Sequence, residues 1–199
     1  INFEESSKDI DLEQTTLTSL RFATACGFSP RVRLDLVLND FVASALKKKK
    51  IEILSDGSPY RPLIHVRDMA RSIDWSSSRK NLNIHQNLFV NVGSDQWNYQ
   101  IKDLAEKTSS IISDCSLSIN KNASPDKRSY KVDFSKYNSL APDHKCDVSL
   151  NDAINDLVIG LKNCYDLQES FRDTNYMRLN CLNNLISKGI INEDLKLMK

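Results

Sequence analysis

The sequence predicts a mixed protein of the α/β or α+β class, on three observations. Short β-like runs alternate with amphipathic helical patterns, the order expected of a sheet covered by helices. Residues 15–27, "TTLTSLRFATACG", are rich in Thr and apolar side chains and end at Gly27, as does a buried strand that runs into a turn. In residues 29–50, apolar side chains recur at helical spacing, at Leu36, Val37, Phe41, Val42 and Ala45.

The first third of the chain also contains its one basic run. Residues 1–14 are polar and are interpreted as the end of a helix followed by a loop. Lys47–Lys50 close the helical pattern, where cations favour the helix C-terminus, so we favour a solvated helix end over a nucleic-acid patch. Residues 51–54, "IEIL", form a short strand before the turn signal "SDGSP". We interpret 56–73, "DGSPYRPLIHVRDMARSI", as a loop that leads into a helix.

The second half of the chain continues the alternation. The pattern predicts a strand at 87–93, a helix at 100–112, a strand at 116–120, a helix at 149–165 and a tail helix in 176–199 that breaks at Gly189. Another helix is expected to start at Asp133 or Ser135. Ser149 fits an N-cap, with Asp152 three residues later, where a capping box usually has Glu or Gln. Because the strands are few and short, we expect part of the sheet to lie elsewhere.

Composition excludes several classes of function. The 199 residues are 40% hydrophobic and 27% charged, which suits one soluble domain with a core. The net charge of +1 gives no electrostatic argument for binding nucleic acid or an anionic membrane. No apolar run approaches the roughly 18 residues of a membrane helix. Five scattered cysteines without a CxxC pair fit a reduced, cytoplasmic setting, and three distant histidines make a metal site improbable.

The sequence contains no complete catalytic motif. It has neither GxGxxG nor GxxxxGK[ST], and its 5 glycines are too few for a backbone phosphate cradle. GxSxG and HExxH are also missing. What remains is a set of arginines near turns: Arg31, Arg33, Arg61 and Arg128. They could converge on one diphosphate, since guanidinium groups bind phosphate in a bidentate way. The alternative is that each is a surface arginine paired with a nearby aspartate.

Four segments, taken in order, resemble a known family. They are "LRFATACGFSPRVRLDLVLNDFVASAL", "IEILSDGSPYRPLIHVRDMA", "FVNVG…NYQIKDLAE" and "DKRSYKVDFSK". The chain is similar from about Thr15 onward to the C-terminal, substrate-binding half of an NAD-dependent epimerase/dehydratase, in the extended short-chain dehydrogenase family that acts on nucleotide-sugars. The tail "RLNCLNNLISKGIINEDL" resembles the ending of members linked to surface-polysaccharide sugars.

The resemblance implies an α/β fold: the last strands of a Rossmann sheet and a small substrate-binding lobe, without the N-terminal glycine-rich half. It implies NAD or NADP as cofactor and a nucleotide-diphosphate sugar as partner, with a possible homodimer. The reaction would be hydride transfer at a sugar carbon. The family's glycine loop and Tyr-x-x-x-Lys helix would precede Ile1, so no catalytic residue is expected in this chain, which alone would be inactive. We expect 1–14 to end a preceding helix, 15–165 to hold the sheet end and lobe, and 166–199 to form a helical tail.

The same resemblance implies five substrate-binding residues: Arg61, Asn39, Arg128, Thr24 and Arg33. Arg61 matches the arginine of "R…IHV" that grips the diphosphate, and Arg128 matches a second arginine on the nucleotide side. Asn39 matches an asparagine at a helix start that contacts the diphosphate, since an amide can donate to phosphate oxygens. Thr24 stands near the sugar, with β propensity as the alternative explanation. Arg33 would contact sugar or phosphate.

The remaining expectations concern the cofactor and the loop. The resemblance implies the turn Phe22 to Cys26 as the candidate cofactor contact, although Cys26 and Phe28 depart from the family's usual Tyr and Pro. His65 and Asp68 are expected to be structural, with Asp68 near a helix start. The rival function is a non-catalytic half-domain that binds nucleotide-sugar or acts as a scaffold. A third alternative is an NADPH-dependent regulator or an RNA-binding relative of the same fold, and the near-zero net charge argues against nucleic-acid binding.

Overall fold

The structure, a computed structural model, describes residues 2–7, 16–79, 87–123, 128–164, 171–173 and 176–198. Within these ranges the α-helices are α1 (Asn2–Ser7), α2 (Val37–Lys48), α3 (Val66–Ser78), α4 (Ile101–Ile111), α5 (Ser135–Leu140), α6 (Leu150–Cys164) and α7 (Arg178–Ser187). The strands are β1 (Thr18–Phe22), β2 (Thr24–Cys26), β3 (Lys50–Ile53), β4 (Tyr60–His65), β5 (Leu88–Val92), β6 (Asn98–Gln100) and β7 (Ser116–Ile119).

The described strands form three small sheets, which are mainly parallel. β1 pairs with β5 so that Leu20 faces Val90, and β3 pairs with β7 so that Ile51 faces Leu117. In the third sheet β4 lies between β2, to which it is parallel, and β6, to which it is antiparallel. Parallel neighbours need long crossovers, which α2, α3 and α4 help to provide. The predicted α/β class is confirmed.

The core is divided into two hydrophobic clusters. The larger cluster joins α2, α4 and α6 to the strands, and Leu34, Leu38 and Leu104 in it are fully buried. The smaller cluster packs β5 against α3 and α5. At its centre Trp75 meets Tyr137 edge to face, with ring centroids 5.5 Å apart. Aromatic pairs of this geometry add stabilisation beyond their buried area.

Local sequence signals explain most element boundaries. α2 ends after Lys48 because Lys49 adopts a left-handed conformation with φ of 53°. The cap predicted at Ser149 is present, since its Oγ accepts a hydrogen bond from the Asp152 backbone N–H at 3.1 Å. α5 begins at Ser135, one of the two predicted positions, and Gly189 follows α7 with φ of +65°.

Three strand predictions differ from the structure. The single strand expected at 15–27 is two strands, separated at Ala23, whose N–H donates to the Val92 carbonyl. Tyr60–His65 is strand β4 and not a loop. Pro62 of β4 faces Asn98 of β6, whereas pairing with β2 starts only at Leu63. The backbone N–H that proline lacks is therefore not required for the hydrogen bonds between β4 and β2. β6 was not predicted.

Residues 2–7 are helical, in keeping with the helix end expected within 1–14. Residues 8–14 and the boundary expected at 165/166 lie outside the described residues. His85 also lies outside them. In the described part of the chain, the helices are too short or too polar to cross a membrane.

Candidate functional site

One concavity, the main cleft, has a volume of about 520 Å³. The ends of β3 and β4 and the first turn of α2 form its walls. Three of the five predicted substrate residues line it, namely Thr24, Arg61 and Arg128. Its remaining lining residues are Asp35, Leu36, Val37, Phe41, Glu52, Ile53, Leu54, Ser55, Pro59 and Ile101. The structure therefore brings together the two arginines that the resemblance assigns to the nucleotide side.

A short extended segment beside β4 carries Arg128 to Arg61. The Tyr130 N–H donates to the Tyr60 carbonyl at 3.3 Å, and the Tyr60 N–H donates to Ser129 Oγ at 3.0 Å. The Arg61 guanidinium itself donates through Nη1 to the Tyr60 carbonyl and to the Arg128 carbonyl. These contacts hold the Arg61 guanidinium against the backbone of Arg128, 67 residues away in sequence, and both residues line the main cleft.

Cation–π contacts further orient this wall. The Arg61 guanidinium lies 5.8 Å from the centroid of the Tyr130 ring, and Lys131 Nζ lies 4.0 Å from that of Tyr60. A preorganised guanidinium loses less side-chain entropy when it binds a ligand.

The main cleft can bind an anion that carries an apolar or aromatic body. Phe41 and Ile53 supply buried apolar walls, and Leu54 is 84% exposed at the edge. Two carboxylates also line the cleft, but each is paired: Arg33 lowers the pKa of Asp35 and Lys50 lowers that of Glu52, mainly by hydrogen bonds. The excess positive charge of the cleft therefore comes from its two arginines.

The start of α2 is part of the site that sequence reasoning missed. Leu36 and Val37 line the main cleft, and Leu36 makes no side-chain cap bond to the first helical turn. The first N–H groups of a helix have no partner within the helix and favour anions. Apolar side chains give no sequence signal for such a role, because the role would depend on backbone N–H groups.

Asn39 lies in a different place from the other candidates. It is 2% exposed and lines a smaller hollow of about 120 Å³, the turn cleft, formed by Ala25, Cys26, Gly27, Ser29, Arg31, Arg33, Leu36, Asn39 and Val66. Its Oδ1 accepts from the Gly27 N–H at 3.1 Å, and its Nδ2 donates to the Arg33 carbonyl at 2.9 Å. Asn39 thus fixes the turn after β2, and a direct contact with a diphosphate stays a prediction.

Arg33 does not line the main cleft. Its Nε and Nη2 bind the two carboxylate oxygens of Asp35 at 3.0 and 2.6 Å, which is the surface pairing considered as the alternative. The side chain faces the turn cleft and retains 40% exposure. Contact with a sugar or phosphate therefore stays a prediction for Arg33.

The turn Phe22 to Cys26, the candidate cofactor contact, leads directly into the turn cleft. Cys26 is buried, and its thiol donates to the Ile64 carbonyl at 3.5 Å. Burial raises the pKa of this thiol well above its ordinary value, because the thiolate would be desolvated. Cys26 is therefore a neutral core residue.

A carboxylate that sequence reasoning missed clamps this turn. Asp156 Oδ2 accepts from the Phe28 N–H at 2.9 Å and lies 3.3 Å from His65 Nε2. Its Oδ1 accepts from Arg67 Nη2 at 2.6 Å. Nothing in the sequence around Asp156 predicts these partners, because they lie 89 to 128 residues away.

The clamp depends on close approach at two glycines. A Cβ on Gly27, whose φ is +103°, would lie 2.3 Å from His65 Nε2, and a Cβ on Gly160 would lie 2.1 Å from Phe28 Cγ. Glycine therefore lets the turn after β2 pack directly on β4 and on α6.

His65 and Asp68 both have structural partners. His65 Nδ1 accepts from the Arg67 N–H at 3.2 Å, capping α3. Asp68, in the first turn of α3, is 2% exposed and accepts from the backbone N–H groups of Asp147 and Val148. Burial lowers the pKa of His65 and raises that of Asp68, since both charged forms are desolvated.

Other reactive groups are dispersed. Cys26, Cys115, Cys146 and Cys181 are free thiols. Across the described residues, no three His, Cys, Asp or Glu side chains are grouped so as to hold a metal ion.

Comparison with known proteins supports the fold. The family model described as NAD dependent epimerase/dehydratase family matches residues 4–93. A UDP-glucose 4-epimerase from Bifidobacterium longum, solved with NAD+ and UDP, has a TM-score of 0.64 at 14% identity, covering 82% of this chain and 52% of that one. MoeE5, solved with UDP-glucuronic acid and NAD, has a TM-score of 0.61 at 18% identity, covering 75% and 48%.

A third solved structure is similar in fold and is likewise covered only in part. A UDP-glucuronic acid 4-epimerase variant from Bacillus cereus has a TM-score of 0.58 at 24% identity, covering 74% of this chain and 46% of that one. The chain thus spans about half the length of these structures. The resemblance to the NAD-dependent epimerase/dehydratase family that its motifs predict is therefore confirmed, by a family match over residues 4–93 and by the shared α/β fold.

Proposed function

We propose that this chain is the substrate-binding part of an NAD(P)-dependent nucleotide-sugar epimerase, dehydratase or reductase. The observation that carries the proposal is the meeting of Arg61 and Arg128 on one wall of the main cleft. Two guanidinium groups beside a helix start suit a diphosphate, and the apolar walls suit the nucleoside attached to it. Thr24, in the same cleft, would lie toward the sugar.

The chemistry of the whole enzyme requires a cofactor, and this chain would supply only one side of its site. A nicotinamide cofactor, when bound, accepts a hydride from a sugar carbon and returns it. The turn Phe22 to Cys26 would flank the cofactor, and the Asp156 clamp would hold that turn in place. The sequence has no glycine-rich loop for the pyrophosphate. We therefore propose that this chain positions substrate and does not itself transfer hydride.

The family resemblance supports three further parts of the proposal. Residues 15–165 would form the end of the Rossmann sheet with the substrate lobe, and 166–199 would form a helical tail. The location would be cytoplasmic, where nucleotide-sugars are free substrates. Dimerisation is proposed from the resemblance alone.

The proposal is tested by titration calorimetry with UDP, the nucleotide bound in one of the matched structures. We expect UDP to bind the chain and uridine to bind much more weakly, because the diphosphate makes the charged contacts. Arg61→Ala should weaken UDP binding about tenfold or more, as expected for a lost charge-assisted contact. Arg178→Ala, which removes an exposed arginine outside the main cleft, should leave UDP binding unchanged.

Equal UDP affinity in the wild-type chain and in Arg61→Ala would show that the main cleft is not the diphosphate site. Hydride transfer by the 199 residues alone, with NAD and a UDP-sugar, would contradict the division of roles. If a protein that contains these residues binds nucleotide-sugar but never NAD, the half-domain function replaces the enzyme.

A further inference from the structure

We propose that a cleft between the 31–33 segment and α7 binds a small oxyanion, a phosphate or carboxylate group, at a site separate from the main cleft. This outer cleft has a volume of about 210 Å³. It is lined by Arg31, Val32, Arg33, Tyr176, Arg178, Cys181, Leu182 and Leu185. The inference does not rest on the proposed diphosphate site, because none of these residues lines the main cleft.

Three guanidinium groups from two parts of the chain line the outer cleft, at Arg31, Arg33 and Arg178. None of its described lining residues is acidic. The carboxylate of Asp35 is bound to Arg33 by two hydrogen bonds and also feels the charge of Arg178. One carboxylate against three guanidinium groups leaves an excess of positive charge. A bound oxyanion would relieve the repulsion among them.

Buried side chains fix the backbone of the 31–33 segment, which carries two of the arginines of the outer cleft. Val32 is 6% exposed and Leu34 is fully buried, whereas Arg31 is exposed and the Arg33 side chain retains 40% exposure. The Asn39 amide additionally binds the Arg33 carbonyl at 2.9 Å. The backbone that carries two of the three guanidinium groups is therefore fixed before any ligand arrives, which lowers the entropy cost of binding.

The opposite wall is also anchored. Asn180, in the first turn of α7, donates from Nδ2 to the Arg172 carbonyl at 2.6 Å. Leu182 and Leu185 form an apolar part of this wall. Apolar walls reduce the local dielectric, which strengthens attraction between guanidinium and oxyanion relative to a flat, solvated surface.

The lining residues separate this site from the main cleft. The outer and main clefts share no residue, whereas the turn cleft shares Arg31 and Arg33 with the outer cleft and Leu36 with the main cleft. An oxyanion here can therefore have two sources. It is either a free phosphate or carboxylate, or the acidic group of a longer ligand that reaches through the turn cleft.

Cys181 provides a reporter for occupancy, since it is a half-buried free thiol in the outer cleft. Alkylation by neutral iodoacetamide would be followed at Cys181 by peptide mass spectrometry, with phosphate or with chloride at matched ionic strength. We expect phosphate to slow alkylation about threefold or more at saturating occupancy. Cys115, which lies outside the outer cleft, serves as an internal control and should not change.

Two arginine variants test whether Arg31 and Arg178 are responsible for the protection of Cys181. Arg178→Gln and Arg31→Gln should each abolish protection of Cys181, whereas Arg61→Ala should retain it. Arg31 and Arg178 are exposed, so circular dichroism is expected to show both variants folded. The Arg61→Ala result also separates this proposal from that of the main cleft, because one site can fail while the other persists.

A comparison of ligands identifies the source of the oxyanion. Protection by phosphate alone that persists with UDP bound supports a free anion. Protection by UDP-glucuronic acid but not by UDP-glucose, lost in Arg178→Gln, supports the acidic group of a longer ligand. If no oxyanion protects Cys181, or if protection is the same in Arg178→Gln, the proposal is wrong.

Discussion

His65 Nε2 lies 3.3 Å from Asp156 Oδ2, although 91 residues separate them in sequence. The same carboxylate accepts from the Phe28 backbone and from Arg67, so one side chain of α6 joins the turn after β2 to the start of α3. This turn lines the turn cleft, which contains the candidate ligand residues Asn39 and Arg33. Loss of the carboxylate should therefore affect stability and ligand binding together.

Asp156→Asn tests the clamp. The amide keeps the size of the side chain but removes the charge and one acceptor, and it leaves at least one donor among Phe28, His65 and Arg67 poorly satisfied. We expect the free energy of unfolding to fall by about 1–3 kcal/mol in urea titrations. Asp194→Asn makes the same chemical change at an exposed position and should alter it by less than about 0.5 kcal/mol. Equal effects would mean that the clamp does not stabilise the fold.

The buried His65 should make the stability of the protein depend on pH. Burial lowers its pKa below the ordinary 6.5, with Asp156 opposing the shift. Neutral His65 thus contributes stability that is fully present above about pH 6.5, and it is lost as the pH falls from there toward the folded-state pKa. Denaturation midpoints at about pH 7.5 and about pH 5.5 should differ less in His65→Gln than in the wild-type chain.

The pH dependence of stability is compared between His65→Gln and the wild-type chain because Asp68 also contributes to it. The contribution of Asp68 has the opposite sign to that of His65. Burial raises the pKa of Asp68, so its contribution is present below the ordinary pKa of 3.8 and is lost as the pH rises through the folded-state value. Both proteins contain Asp68, which therefore cancels. The same pH dependence in both proteins would remove His65 as its source.

Gly160→Ala has two opposing effects on stability, a gain in helix propensity and a steric clash. In an open helix interior this change stabilises by about 1 kcal/mol, but here the new Cβ would lie 2.1 Å from the Phe28 ring. We expect destabilisation of about 1–3 kcal/mol by urea titration. Gly189→Ala meets no atom within 4 Å and should cost only about 1 kcal/mol through its left-handed backbone. If Phe28→Ala fails to relieve the cost of Gly160→Ala, the clash is not its cause.

The 171–173 segment is attached to α2 by an ion pair whose strength can be measured. Arg172 binds Asp40 through Nε and Nη2 at 2.8 and 2.6 Å, and Nη2 also lies 3.0 Å from Ser44 Oγ. The pair is partly exposed, so a double-mutant cycle with Arg172→Met and Asp40→Asn should give a coupling of about 1 kcal/mol. Zero coupling would mean that the ion pair does not attach the segment, which would then be held by the buried Phe171 and by the Asn180 bond to the Arg172 carbonyl.

The sequence by itself determined the class of the protein and most of its local elements. α2, α4 and α6 follow from helical spacing, and the cap at Ser149 and the break at Gly189 follow from residue type. These features depend on neighbours within a few positions of one another. The ordered motifs likewise identified the family resemblance.

The tertiary structure alone decided which of the candidate residues meet. Arg61 and Arg128 share the main cleft because backbone contacts place the 128–130 segment beside β4, whereas Arg33 pairs with Asp35 and Asn39 turns inward to Gly27. β4 became a strand despite its proline because its two neighbours pair with different halves of it. Contacts across 67 or 128 residues leave no periodic signal in the sequence, since they arise only when distant elements pack.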